Sequence, residues 1–311
     1  MDIMIVDTYR KQLLILVELG YKLPSEYICP FCLRTIQDNN LISLEDAPQD
    51  SLGGSKIALT CKECNNKYGE TIDCHLVNYI TDREDGKFPV GMNRPFVFHD
   101  KKSGVDVQGQ IEIGANGEMS MILPEKVNNP KKLAATIKDL QIGDIVDAEM
   151  RVNLNKRIPR NIAAAHIKNA YVILFSYFGY SFLLDPFYDS FREQMNKPED
   201  EIITEGLISQ EGVFNSYEDG VYVCDNTPLR GFFVVFTLIK RGNHKYGVFI
   251  PAIVNGIEPA ISAARSIKKG DGIRAFKIEK NPKFWDSKET IRKVIEWSHD
   301  DNISWKEVAA V

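Results

Sequence analysis

Cys29-Pro30-Phe31-Cys32 and Cys61-Lys62-Glu63-Cys64-Asn65-Asn66 form two Cys-x-x-Cys knuckles separated by 28 residues, and their reading decides the fold. Each knuckle is a tight turn that aims two sulfurs the same way. Two such turns can bring four thiolates to one point, the closed tetrahedral donor set that zinc takes. A minimal ribbon needs fewer residues between its knuckles, so the surplus predicts a β-hairpin carried between them. Leu41 to Glu45 alternates as a strand, Gly53-Gly54 marks a turn, and Lys56 to Thr60 reads as a second strand. Asn65 to Ile80 favours a helix with Ile72, Leu76 and Tyr79 on one side. A unit of strand, turn, strand and helix this small buries little apolar surface by itself, so the metal is expected to be needed for its folding.

The rest of the chain reads as an ordinary globular protein. At 311 residues, with 44% hydrophobic and 26% charged residues, it is long enough for two or three cores. A net charge of −5 excludes a polycation, so any contact with nucleic acid must come from a local basic surface. Of six cysteines the knuckles use four; Cys74 and Cys224 are too few for a disulfide framework, which suits a reducing cytoplasm. The first residues carry acids where a secretory signal would carry bases. The longest uncharged run, Asn169 to Leu184, is shorter than the roughly 20 apolar residues that span a bilayer. A cytoplasmic protein with no membrane partner is expected.

The fold class expected is α+β, in five segments. Residues 1–26 hold an N-terminal helix, with Ile5, Tyr9, Leu13, Leu16 and Val17 at helical spacing and Gly20 as its stop, packing on the zinc module of residues 27–82. A charged connector, 82–93, leads to a β-rich part, 94–158. Its strands are Pro95–His99, Val105–Ile113, Glu118–Leu123 and Ile145–Val152. Asn116-Gly117 is its hairpin signal, and a short helix runs over Asn128–Leu140. Residues 159–197 form a helical block in which Ile162, His166, Ala170, Ile173 and Leu174 share a face, with breaks near Gly179 and Pro186. Its aromatic run from Tyr171 to Phe182 reads as core, as does His166. Residues 198–311 return to strands at Gly220–Cys224, Gly231–Lys240 and Tyr246–Ile253, with a loop at Arg241–His244 and a terminal helix over Ser287–Trp297.

Within the long loop stand Glu45-Asp46-x-Pro48 and Leu52-Gly53-Gly54, and Asn65 follows the second knuckle directly. This set resembles the HNH endonuclease family, in the version where two Cys-x-x-Cys knuckles brace a ββα-metal finger, over about residues 27 to 80. A looser likeness, Ile167-Lys168-Asn169-Ala170-Tyr171 with Phe178-Gly179-Tyr180 and Phe191-Arg192, is similar to the helical part of longer, defence-like HNH proteins. The resemblance implies a structural Zn²⁺ on Cys29, Cys32, Cys61 and Cys64. It also implies metal-dependent hydrolysis of phosphodiester bonds, with Glu45 and Asn65 holding Mg²⁺ or Mn²⁺. The family places His as general base where this chain has Asp46. A carboxylate near roughly pH 4 is a weaker base at neutrality than an imidazole near 6.5. Gly69 stands where some members carry a third ligand, and His75 is the nearest spare imidazole. Two readings therefore stand together: an endonuclease with Asp46 and Glu45 at its catalytic centre, and a non-catalytic zinc-finger protein that binds nucleic acid or a protein partner.

Between Met150 and Leu184 no acid occurs, while Arg151, Lys156, Arg157, Arg160 and Lys168 supply positive charge. A second basic run spans Arg265, Lys268, Lys269, Arg274, Lys277, Lys280 and Lys283. Arg157, Arg160, Lys268 and Lys269 are the residues expected to meet phosphates, with DNA favoured over RNA as partner.

Overall fold

The structure is a computed structural model that describes residues 3–85, 90–101, 103–142, 148–152, 158–200, 202–203, 213–240, 242–266 and 274–311. The class is α+β. The chain divides into two compact units, Met1–Val77 with Arg157–Val311, and Asn78–Lys156. The N-terminal helix, the knuckles, the helical block and the C-terminal strands thus belong to one unit, and the intervening β-rich part is most of the other.

In the first unit α1 (Ile3–Glu18) precedes two short paired strands, β1 (Tyr27–Ile28) and β2 (Thr35–Ile36). The hairpin β3 (Ile42–Asp46) and β4 (Lys56–Cys61) follows, then α2 (Lys62–Tyr68), a π-helical turn over Gly69–Asp73, and the start of α3 (Cys74–Asp85), which from Asn78 on belongs to the second unit. The order strand, strand, helix is the expected one. What the residue pattern did not show is the wide turn inside the helix, which inserts an extra residue before Asp73 and so changes the side on which Asp73 emerges. Gly54 permits the hairpin to close: a Cβ there would lie 1.6 Å from the Pro48 carbonyl oxygen. Gly53, at φ +81°, takes the left-handed conformation that closes the short turn before it.

The second unit is a four-stranded antiparallel sheet in the order β7-β6-β5-β8, made of β5 (Asn93–Asp100), β6 (Val105–Ile113), β7 (Met119–Ile122) and β8 (Ala148–Val152), with α4 (Pro130–Ile142) after β7. Met92, Phe96, Phe98, Ile111 and Ile113 form its core. The chain turns between β6 and β7 where Asn116-Gly117 was expected to turn it, closed by Gly117 N–H to the Gly114 carbonyl.

Back in the first unit, α5 (Pro159–Phe178) is the element on which the rest packs. Proline at its first turn starts it and Gly179, at φ +57°, ends it. From Ala164 to Ser176 every residue is buried, the pattern of a helix enclosed on all sides. It meets the π-helical turn and β4 on one side. On another it meets the sheet β11-β10-β9-β12, built of β9 (Gly220–Cys224), β10 (Gly231–Ile239), β11 (Asn243–Pro251) and β12 (Phe276–Ile278). Pairing resumes at Ile239↔Asn243, so the β10–β11 loop is shorter than Arg241–His244. Helices α6 (Tyr180–Leu183), α7 (Asp189–Asn196), α8 (Ile257–Ser266), α9 (Lys283–Asp286), α10 (Lys288–His299) and α11 (Trp305–Ala309) complete the unit. Of these, α8, α9 and α11 were not anticipated, while α10 begins where Ser287 caps it.

Polar contacts sew these pieces together. Gln12 of α1 donates to the Phe178 and Phe284 carbonyls and accepts from the Tyr180 amide, at 2.7 to 2.8 Å. The Leu59 amide donates to Tyr9, and Tyr27 donates to the Leu59 carbonyl, so α1 and β1 grip β4. Tyr171, Phe175, Phe178 and Tyr180 of the aromatic run are core, as its composition implied, and two of their hydroxyls serve the knuckle. Tyr171 donates to the Pro30 carbonyl and Tyr180 to that of Ile28.

His166 is 3% exposed, packs 4.3 Å from the Tyr246 ring, and leaves Nδ1 without a partner. Burial pushes its pKa down to about 3. The folded state therefore keeps the imidazole neutral while the unfolded chain protonates it below roughly pH 6.5. The stability present above that value is lost progressively as pH falls toward 3. Between pH 6.5 and 5 the loss from this group is about 2 kcal/mol, at about 1.4 kcal/mol per pH unit. Urea unfolding of the wild type and His166→Phe at both pH values should show the variant losing less by that amount; equal losses would reject the assignment.

Candidate metal centre and its buried ion cluster

The ligating sulfurs of Cys29, Cys32, Cys61 and Cys64 all lie within 4.8 Å of one another, and three of the four residues are buried. A zinc–sulfur distance of about 2.3 Å in a tetrahedron places sulfurs about 3.8 Å apart. Cys32 and Cys61, at 3.9 Å, already stand so. The four cysteines are positioned for a metal ion such as zinc. The first knuckle is shaped by Leu33 at φ +56°, by its amide to the Cys29 carbonyl and by the Cys29 amide to the Arg34 carbonyl. The second is the turn from β4 into α2, where Cys61 Sγ accepts from the Cys64 amide.

Further N–H groups aim at the sulfurs: the Cys61 amide at Cys29 and Arg34 Nε at Cys32, with Arg34 held by Glu63 at 2.6 Å. Such donors stabilise thiolate ligands and orient them. Packed together as thiols, the four divide their protons unevenly. Cys29, bonded to Cys32, is raised, whereas Cys32, accepting from Cys29, is lowered. Cys61 falls to about 6 for the same cause. A cation that replaces those protons resolves the conflict among four crowded sulfurs.

The hairpin places the remaining site residues. Glu45, at the inner edge of β3, is 2% exposed; its Oε2 accepts from Thr60 and its Oε1 lies 2.5 Å from Lys168 Nζ. Lys168, 1% exposed on α5, also donates to Asp73 Oδ2 at the end of the π-helical turn. Asp73 Oδ1 accepts from Gln49 Nε2 at 2.6 Å, and the same Nε2 reaches Asn169 Oδ1 at 3.3 Å. Burial raises the pKa of both carboxyls, against the pull of Lys168. Burial works against the Lys168 charge too, but Asp73 and Glu45 together outweigh it, so its pKa is raised. Lys168 therefore carries its proton in this cluster.

Asp46 follows a bulge in the β3–β4 ladder and is half-buried, so its pKa is raised by desolvation, with Lys56 and Lys168 drawing it back. Asn65 Nδ2 donates to the Leu44 carbonyl at 2.9 Å and to Ser43 Oγ at 3.1 Å. It fixes the main chain one residue before Glu45. The structure thus brings Glu45 together with Thr60, Lys168 and Asp73, while the Asn65 amide nitrogen is tied to β3.

Two residues of this cluster escaped the sequence reading. Asp73 is one, because the π-helical turn that sets its direction has no signature in residue spacing. Lys168 was counted with the basic surface, and that is corrected: it is buried and ion-paired. The signal was present, a lone charge inside an apolar helix, since Lys almost never enters a core unpaired. Of the residues expected to meet phosphates, Arg160 is exposed and donates to the Glu199 carbonyl. Arg157, Lys268 and Lys269 lie outside the described residues. In the second basic run Lys277 is paired with Glu218 at 2.5 Å, Lys283 bonds the Val311 carbonyl, and Lys280 sits over the Tyr177 ring.

No family model, curated protein or solved structure matches the chain. Among the described residues no helix is long and apolar enough to cross a membrane.

Proposed function

We propose that the chain is a metal-dependent endonuclease of HNH type, acting on nucleic-acid phosphodiester bonds, with a structural zinc on Cys29, Cys32, Cys61 and Cys64. The observation that carries the reading is the placement of Glu45. It stands one residue before the end of the hairpin's first strand in a knuckle-braced strand–strand–helix unit, and its carboxylate converges on the same cationic point as Asp73. Mg²⁺ or Mn²⁺ held at Glu45, with Asn65 beside it, would polarise the scissile phosphate and stabilise the leaving oxygen. Asn65 holds the β3 main chain in place. Asp46 is the base: desolvation lifts it above an ordinary aspartate, toward the range in which a carboxylate takes a proton from water more readily.

The second reading, a non-catalytic zinc finger that binds nucleic acid or a protein partner, is favoured by one observation: Glu45 is fully buried and already ion-paired. Zinc-loaded protein should nick supercoiled plasmid with Mg²⁺ or Mn²⁺, and Glu45→Ala or Asp46→Ala should reduce the rate at least a hundredfold, the usual share of a general base. If neither DNA nor RNA is cut in any form, the nuclease reading is lost. A salt-sensitive gel shift by the same protein would then support the binder.

A further inference from the structure

Glu45 and Asp73 reach the same point from different elements, one from a hairpin and one from a π-helical turn, and Lys168 fills that point from a third. Their two nearest oxygens are at most about 5 Å apart, since both lie within 2.5 Å of Nζ. Oxygen ligands of Mg²⁺ sit about 2.1 Å from the ion, so opposite ones are about 4 Å apart. The pair would need to close by no more than about 1 Å to hold such an ion between them.

The charge count points the same way. Two carboxylates and one ammonium, all ionised, leave a net −1 in a pocket that is almost wholly out of water. Two carboxylates and one divalent ion leave zero once the Lys168 ammonium has moved away, which is the cheaper state to bury. Polar capacity is also left over. Asn169 is fully buried with Nδ2 unpartnered, and Gln49, bonded to both Asp73 and Asn169, leaves Oε1 unpartnered. Gln49 Oε1 is an oxygen of the kind that ligates Mg²⁺, whereas Asn169 Nδ2 is a donor and suits a water or a phosphate oxygen.

We propose that Lys168 is a resident cation: its ammonium occupies the place of a divalent ion, and the two compete for Glu45 and Asp73. The inference rests on the reading of Glu45 as a cation ligand and adds two things to it. Asp73 becomes the second acidic ligand, and Lys168 becomes the group that keeps metal affinity low until something draws its ammonium away. A phosphate, a strong charge-assisted acceptor for an ammonium, is the chemistry suited to do so.

Binding of Mn²⁺ to zinc-loaded protein, followed by loss of the free-ion paramagnetic resonance signal, tests this without any turnover. Lys168→Met should bind one Mn²⁺ at least tenfold more tightly than the wild type, and Asp73→Asn in that background should abolish the gain. Lys168→Gln, which keeps a polar side chain, gives the same comparison if Lys168→Met does not fold. In protein with Lys168 intact, Asp73→Asn should weaken Mn²⁺ binding. Unchanged affinity on loss of the ammonium, or tight binding that survives Asp73→Asn, overturns the proposal. Tight Mn²⁺ binding without plasmid nicking leaves the proposal standing and removes the nuclease reading instead.

Discussion

Chelation of the metal on Cys29, Cys32, Cys61 and Cys64 is expected to unfold the finger and take the stability of the surrounding unit with it. The four sulfurs tie the β1–β2 hairpin on one side to the β4–α2 turn on the other. Structural zinc contributes about 10 kcal/mol or more to small four-ligand units at neutral pH. That is comparable to the roughly 5–15 kcal/mol that holds a whole domain folded. The finger is also not peripheral. Tyr171 and Tyr180, from the central helix and the one after it, bond main-chain carbonyls at Pro30 and Ile28. Cluster and core should therefore fail together. One zinc per chain by elemental analysis, and a collapse of the denaturation midpoint on chelation, are the expected results. Cys61→Ser should reproduce the loss and Cys74→Ser should not, since Cys74 stands outside the cluster. A metal-free protein with the wild-type midpoint would reject the assignment.

The knuckles and the hairpin between them were readable because their chemistry is local: residue type and spacing determine where a tight turn can point a sulfur. The same holds for Asn116-Gly117 and for the strand at Val105–Ile113, whose observed limits match the expected ones. The buried cluster was unreadable for the opposite reason. Glu45, Asp73 and Lys168 are separated by 28 and 95 residues, and only the packing of α5 against β4 and the π-helical turn joins them. Helical periodicity also assumes a uniform turn. The π-helical turn at Gly69–Asp73 breaks that assumption just before the residue that matters. Lys168 was misread as surface because net charge and charge segregation say nothing of burial; its neighbours Ile167, Ala170 and Tyr171 were the better guide.

Lys168→Met is expected to destabilise the metal-free cation pocket by about 3–5 kcal/mol, the cost of leaving buried carboxylates without their counter-charge. The asymmetry among the three charges is the sharper part of the prediction. Lys168 serves two acids, so its loss strands both, whereas Asp73→Asn leaves one ammonium facing one carboxylate, a balanced pair. The asparagine oxygen can still accept from Lys168, with its NH₂ toward Gln49, whose unpartnered Oε1 can turn to accept from it. Asp73→Asn should then cost about 1 kcal/mol or less, within the range of an ordinary conservative change. The sign of its pH dependence follows from the raised carboxyl. The folded state holds a proton that the unfolded chain has released, so this contribution is complete below roughly pH 4 and is lost as pH rises through the raised folded value. Asp73→Asn removes that loss, and its stability relative to the wild type should improve from pH 4 toward pH 7. Urea midpoints of Lys168→Met, Asp73→Asn and the double variant give the coupling directly. In the double variant only Glu45 remains to be stranded, and burial already raises its pKa, so it can take up a proton and relieve much of the cost. Equal costs for the two single variants, or additivity in the double, would mean that the three side chains do not act as one charge cluster.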